Sequence, residues 1–336
     1  MPHSTHQNAS RFLTQRKVHF IALLAVILFL GSLLLTTEYS SWSFWLEYWW
    51  MFPIALAIAI TVNTLGVSGA ALFVPFFILI FPFLADPLTA GQSVQLGLIT
   101  ESFGLTSSAL AFIVFGLVDK KLAFISILGA LPFVIGGALL TAFIPKTTLL
   151  LMIAVLLIIS VLLIHYKKYM ERARKEELAQ RKIDTQEIYG EHVDISTQDG
   201  KNYKYCRTTT GYRKRFLGYG VGGFFQGAAG FGIGELGIIS MIMSRIPVRI
   251  AIGTSTSIVA TTAIFASLIH VFASGAAGTP ETIPWNLLFM SVPAVVIGGQ
   301  IAPFVAARIP AKSLEKIISA LFVIIAIAMV IVAVHG

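Results

Sequence analysis

The chain has 336 residues, of which 56% are hydrophobic and 12% charged, and 24 Lys and Arg against 16 Asp and Glu give a formal net charge of +8. Apolar runs of about 18 residues or longer recur, the pattern of a polytopic helical membrane protein, because lipid tolerates only backbone that satisfies its own hydrogen bonds. The single cysteine, Cys206, excludes an intrachain disulfide and argues against a cysteine metal cluster, and the positive charge lies mostly between apolar runs, where it sets orientation in a bilayer rather than contact with nucleic acid.

Residues 1–17 form a polar tail carrying Arg11, Arg16 and Lys17 ahead of the first apolar run. Residues 18–47 hold an additional N-terminal span, 18–35, and an aromatic segment. The apolar core of the span is long for a signal peptide, and Thr36-Thr37-Glu38-Tyr39 shows no small-x-small cleavage pattern. It reads as an uncleaved helix with its N-terminus in the cytoplasm. Trp42, Trp45, Trp49 and Trp50, with Tyr39 and Tyr48, read as an interfacial belt on the far side.

A first transmembrane repeat occupies 48–165. Apolar segments 51–63 and 70–84 flank the break Gly66-Val67-Ser68-Gly69, and spans follow at 89–117, 122–143 and 149–165. Residues 166–215 are a hydrophilic interruption. Its first part extends the preceding helix into water, and 192–207 alternates polar with β-branched or aromatic residues around Asp199-Gly200, which predicts a hairpin. A solvated linker is the ordinary meaning of such charge. A second repeat occupies 216–336. Segments 216–227 and 234–243 flank Gly230-Phe231-Gly232-Ile233-Gly234, and spans follow at 250–272, 285–307 and 314–334. Pro293 and Gly298-Gly299 answer Pro132 and Gly136-Gly137, and Gly253 and Ser255 answer Gly91 and Ser93.

Glycine breaks at matching places in two halves are a pointer to a transporter binding site. Unwound backbone survives at membrane depth only where protein or a water-filled cavity covers it, and the free N–H groups of a restarting helix hold an anion. The alternative is close helix packing, which glycine also permits. If each broken segment crosses the bilayer once, the basic linker falls outside the cell. If each folds back as a re-entrant hairpin, the basic turns at 119–121, 166–168, 213–215, 245–249 and 308–312 all lie in the cytoplasm and only Lys146 is misplaced. The predicted architecture is therefore all-α, with two inverted repeats, each with a glycine-broken re-entrant helical hairpin and three spans. The N-terminus and linker are cytoplasmic and the C-terminus outside, in the inner or plasma membrane.

The glycine-rich breaks, the stretch Ala251-Ile252-Gly253-Thr254-Ser255 and the Pro…Gly-Gly helix of each half together resemble the TauE/SafE family of sulfite exporters and related anion permeases. The resemblance covers roughly residues 51–333 without the linker. It implies a substrate class of small sulfur oxyanions or organosulfonates. The first break departs from the family pattern, since 66–71 keeps two glycines before Pro75 where a run of glycines followed by proline is expected.

The candidate binding residues are Gly66, Ser68 and Gly69 in the first break and Gly230, Gly232 and Gly234 in the second. Gln92, Ser93 and Gln95 on the helix from Thr89, and their positional partners Thr254, Ser255 and Ser257, join them. Hydroxyls and amides donate to an oxyanion without adding fixed charge, or else bond neighbouring helices. Glu101 shares a helix face with Ser93, Gly97, Gly104 and Ser108, and an acid at that depth is a proton carrier or a neutral helix contact. Glu235 opens the second half-helix, where it competes with cargo for the same N–H groups. It is turned toward the basic turn at 245–249, fills the second site itself, or takes up a proton when the anion arrives. His270 reads as an interfacial polar residue. No Ser-His-Asp set, zinc spacing, phosphate loop or cofactor motif occurs. The reading is a secondary transporter exporting sulfite or a small organosulfonate. The alternatives are a proton-coupled organic-anion importer, a membrane enzyme, and a sensor reporting through the linker. The expected partners are a small anion and the bilayer.

Overall fold

The computed structural model describes residues 20–35, 41–65, 67–141, 143–180, 190–197, 200–276, 283–306 and 311–335. Helices α1 (Phe20–Leu35) and α2 (Trp42–Leu46) precede α3 (Met51–Leu65), α4 (Ala70–Pro75), α5 (Ala90–Val114), α6 (Lys120–Thr141) and α7 (Lys146–Gln180). After strands β1 (Glu191–Ser196) and β2 (Asn202–Arg207) come α8 (Thr209–Ala229), α9 (Ile233–Met243), α10 (Val248–Ala276), α11 (Trp285–Ala306) and α12 (Ala311–His335). Six of these, α5, α6, α7, α10, α11 and α12, contain stretches long and apolar enough to cross a membrane, and the protein is a multi-pass membrane protein.

Local chemistry sets the ends. Thr89 and Gln92 form a reciprocal capping box that starts α5, and the Thr208 hydroxyl accepts the Gly211 N–H to start α8. Because of that second cap, α8 begins at Thr209 rather than at 216, so Arg213, Lys214 and Arg215 lie on the helix. Pro75 has no N–H to continue the α4 ladder, and the chain runs on through a π turn, Phe76–Ile80, and a 3-10 turn, Phe81–Phe83.

The helices pack in exchanged pairs. α6 lies on α8 while α11 lies on α3; α5 lies on α10, and α7 on α12. At two of these crossings glycine lets the helices approach closely. A Cβ on Gly137 would come 2.1 Å from the Phe224 carbonyl oxygen, one on Gly227 2.1 Å from that of Val134, and one on Gly298 2.7 Å from Ala59 Cβ. These glycines are packing contacts, as the small-residue rule expects. The aromatic segment divides: Trp45 is buried, its ring 4.9 Å from that of Phe289, whereas Trp42 and Trp49 are exposed.

β1 and β2 pair antiparallel, with His192 opposite Cys206 and Asp194 opposite Lys204. The hairpin is not a free solvated linker. Val193, Ile195, Tyr203 and Tyr205 pack on the main apolar core. Arg207 donates to Asp119, in the turn between α5 and α6, from Nη2 to Oδ1 at 2.6 Å and from Nε to Oδ2 at 2.9 Å. The Tyr205 hydroxyl donates to Asp119 Oδ2 at 2.5 Å, and the Leu122 N–H to Oδ1 at 3.0 Å. Asp119 in turn donates its own N–H to Thr254 Oγ1 on α10 at 2.9 Å. A charged loop becomes part of the fold here because a buried carboxylate needs donors, and the hairpin supplies them.

Candidate functional site

The two broken segments meet. Glu101, near the middle of α5, is 2% exposed, and Glu235, in the first turn of α9, is 7% exposed. Both reach Ser68. The Ser68 N–H donates to Glu235 Oε1 at 3.2 Å, the Ser68 hydroxyl donates to Glu101 Oε1, and the Gly69 N–H donates to that same Glu101 oxygen at 3.0 Å. The donors at the start of α4 are therefore held by the protein's own carboxyls. Close packing brings them within range: one turn before Glu101, a Cβ on Gly97 would come 2.6 Å from Val74 Cγ2 on α4. The second break turns on two left-handed glycines, Gly230 at φ 93° and Gly232 at φ 121°, conformations that side-chain-bearing residues rarely adopt. Gly69, at φ −65°, needs no such freedom; what glycine supplies there is room, since a Cβ would lie 3.7 Å from Glu101 Cβ and Cγ.

The second oxygen of each carboxyl, Oε2 of Glu101 and of Glu235, is buried without a hydrogen-bond partner among the described residues. None of the ion pairs among the described residues involves either group. Beside them is a cavity of about 10 Å³, lined by Asn63, Ser68, Gly234, Ser255 and Thr256 among apolar neighbours. That is space for about one water, so the site is closed in this conformation. A larger cavity of about 430 Å³ lies between α1, α5, α10 and α11. Its lining, which includes Ala22, Phe103, Ile264 and Leu268, contains no charged side chain, and it includes neither carboxyl, so it lacks the chemistry of an anion site.

The predicted residues fall into two groups. Ser68, Gly69, Gly232, Gly234, Ser255, Glu101 and Glu235 lie at or beside the break, with Gly230 packed against Ala70 and Val74 of α4. The Ser255 hydroxyl points at the Gly234 carbonyl at 3.4 Å. Gly66 lies outside the described residues. Gln92 is spent in the capping box, nine residues and roughly 13 Å along α5 from Glu101. The hydroxyls of Ser93 and Ser257 bond carbonyls one turn back, to Thr89 and Gly253, and Thr254 serves Asp119. Gln95 is buried with Nε2 unpartnered among the described residues. His270 is buried, with Nε2 2.8 Å from the Gly227 carbonyl, a helix-to-helix contact rather than an interfacial one. Asn63 was not singled out by sequence. It receives the Ser108 hydroxyl at 2.8 Å and lines the small cavity. An amide three residues before the first glycine, inside an apolar run, was the available signal.

The family model described as Sulfite exporter TauE/SafE matches residues 51–329. No curated protein and no solved structure matches the chain. The matched stretch holds both breaks, both carboxyls and the six membrane-length helices almost to the end of α12, and the chain belongs to the TauE/SafE sulfite exporter family.

Proposed function

We propose that this protein, as a member of a family of small-anion transporters, exports sulfite or a small organosulfonate by exchanging the anion with its own carboxyls at Ser68 and Gly69. The observation that carries the reading is the pair of buried glutamates on the donors at one helix start. An oxyanion needs the same donors. When it takes them, a glutamate in a dry site loses donors, and it sheds its charge by proton uptake. Anion and proton movement are then coupled. The inside-negative potential favours outward movement by about 2.3 kcal/mol per 100 mV for each net negative charge left after the proton is counted, one for a sulfite dianion.

The architecture proposed for this exchange is two inverted repeats with re-entrant hairpins. Several observations support it. α4 with its two following turns spans Ala70–Phe83, and α9 has 11 residues, roughly 16 Å against a hydrocarbon core of about 30 Å. The helix pairs α6–α8 and α11–α3 exchange partners under a swap of halves. The turn after α5 bonds the start of α10, so these equivalent helices run in opposite directions. The turns bearing Lys121 and Arg249 both reach the hairpin, Lys121 pairing with Glu191 at 3.0 Å or less and Arg249 donating to the Tyr203 hydroxyl at 3.3 Å. Basic residues of both halves thus reach the same hairpin, which supports reading that side as cytoplasmic by charge.

The test is sulfite efflux from proteoliposomes with and without an imposed pH gradient. Wild type responds to the gradient; Glu235→Gln carries sulfite but does not. An unchanged response in the variant removes Glu235 as the coupling group and passes the role to Glu101→Gln, and the loss of coupling in neither variant overturns the exchange.

A further inference from the structure

A second polar group inside the bundle has no use in the exchange described above. Arg215, on the second turn of α8, is 2% exposed, and its Nε, Nη1 and Nη2 have no hydrogen-bond partner among the described residues. The carboxylate whose charge it feels, Asp119, is already committed: both oxygens are taken by Arg207, Tyr205 and the Leu122 N–H. The Tyr212 ring lies 4.5 Å from the guanidinium carbon. A ring face attracts the cation but leaves the in-plane N–H groups without acceptors. A buried guanidinium in that state is costly unless something anionic completes it.

The guanidinium packs directly against bare helix backbone. At Gly211, one turn back, a Cβ would come 2.9 Å from Arg215 Nη1, 3.0 Å from Thr208 Oγ1 and 3.2 Å from Ser244 Cβ. Any side chain there would crowd the guanidinium. Gly211 also lies in the first turn of α8, its own N–H held by the Thr208 hydroxyl, where the helix dipole favours negative charge. One turn further along the same face is Tyr219, 1% exposed, whose hydroxyl has no hydrogen-bond partner among the described residues and lies close to Ser255 without meeting bonding geometry. Ser255 lines the small cavity with Ser68.

We infer that the guanidinium of Arg215 is a binding site for a small oxyanion, with Tyr219 the next donor on the way to Ser255 and the break. A planar guanidinium with parallel N–H groups matches two oxygens of a sulfite, sulfonate or sulfate group at once, which an ammonium does not. The inference rests on the transport reading only for the role of the anion as cargo. It then gives that cargo a first contact on the hairpin side.

The experiment titrates the purified full chain with sodium sulfite, and with redox-inert sodium sulfate, against sodium chloride at equal ionic strength, reading thermal unfolding by tryptophan fluorescence. Wild type shows saturable stabilisation by the oxyanions beyond chloride. Arg215→Gln raises the apparent Kd about tenfold or more, as expected for losing bonds to a charged group. Gly211→Ala does the same by pushing Nη1 aside, Arg215→Lys loses part of the affinity, and Tyr219→Phe weakens it a few-fold. Should Arg215→Gln not fold, Gly211→Ala and Arg215→Lys carry the test. No saturable effect in wild type, or an unchanged Kd in folded Arg215→Gln, overturns the site. Flux separates the two readings: anion binding lost with Arg215→Gln in a wild type that moves no sulfite leaves the site standing and the transport reading fallen, and normal flux with Arg215-independent binding does the reverse.

Discussion

Arg207→Met should release the hairpin while leaving the membrane helices in place. The substitution keeps most of the side-chain stem but removes the donors at 2.6 Å and 2.9 Å to Asp119 and the 2.8 Å pair with Glu191. The Glu191 contact, on a half-exposed carboxylate, adds little. The Asp119 contact is buried on both sides, and removing one partner of a buried pair costs roughly 3–5 kcal/mol. Asp119 keeps the Tyr205 hydroxyl and the Leu122 N–H, so the low end, about 3 kcal/mol, is appropriate. At about 1.4 kcal/mol per factor of ten, the undocked population rises roughly a hundredfold. The assay is amide hydrogen exchange of β1 and β2 in the purified protein, corrected for intrinsic rates. The interstrand amides should exchange about a hundredfold faster in the variant. A change under about threefold would mean that the apolar contacts of Val193, Ile195, Tyr203 and Tyr205, not the ion pair, hold the hairpin. The same contact sets a pH dependence. Burial pushes the Asp119 carboxyl up, but the bonds from Arg207 and Tyr205 outweigh it and hold it below the ordinary carboxylate value. A depressed value means that the stabilisation is fully present above the unfolded carboxylate pKa, about 3.9, and is lost as pH falls through the lower folded value. Wild-type docking should therefore be flat from about pH 7 to 5 and weaken only below about pH 4. A loss already evident near pH 6 would point to another group.

Gly69→Leu should reach the membrane folded but carry no sulfite, because its outer carbons have to displace Glu101, whose Cβ and Cγ already sit 3.7 Å from a Cβ at that position; failure to assemble would instead make Gly69 a packing glycine. Gly69→Ala, at φ −65° and with only ordinary contacts, should keep most flux, and its loss would contradict the steric account. Gly227→Leu is the contrasting case: with the Val134 carbonyl oxygen 2.1 Å from a Cβ, it should abolish assembly, measured as monodisperse protein after extraction, and normal recovery would show that α6 and α8 can separate. For orientation, a Gly336→Cys substitution in a Cys206→Ser background should react with an impermeant thiol reagent in intact cells. Reaction only after lysis would sink the re-entrant arrangement.

The sequence by itself determined the apolar helices, the two breaks and the alternating segment that forms the hairpin. Each is a local property: run length, a glycine where a ladder must stop, a period of two residues. Helix ends shifted by a few residues where a cap decided them, as at Thr208. Membership of a sulfite exporter family was also legible, since it rides on short motifs. Tertiary structure decided which polar groups meet. Ser68 and Glu235 are separated by 167 positions, and Ser68 and Glu101 by 33. No periodicity links them; they meet because Gly97 lets α4 lie against α5 and because Gly230 and Gly232 turn the chain at the start of α9. Spacing put Gln92 and Gln95 on one helix face, yet Gln92 closes a cap while Gln95 is buried. Arg215 read in sequence as one of three basic residues marking a cytoplasmic turn. Only the packing of α8 shows it buried without an acceptor among the described residues, because a charge is recognised as unpaired only when its surroundings are in place.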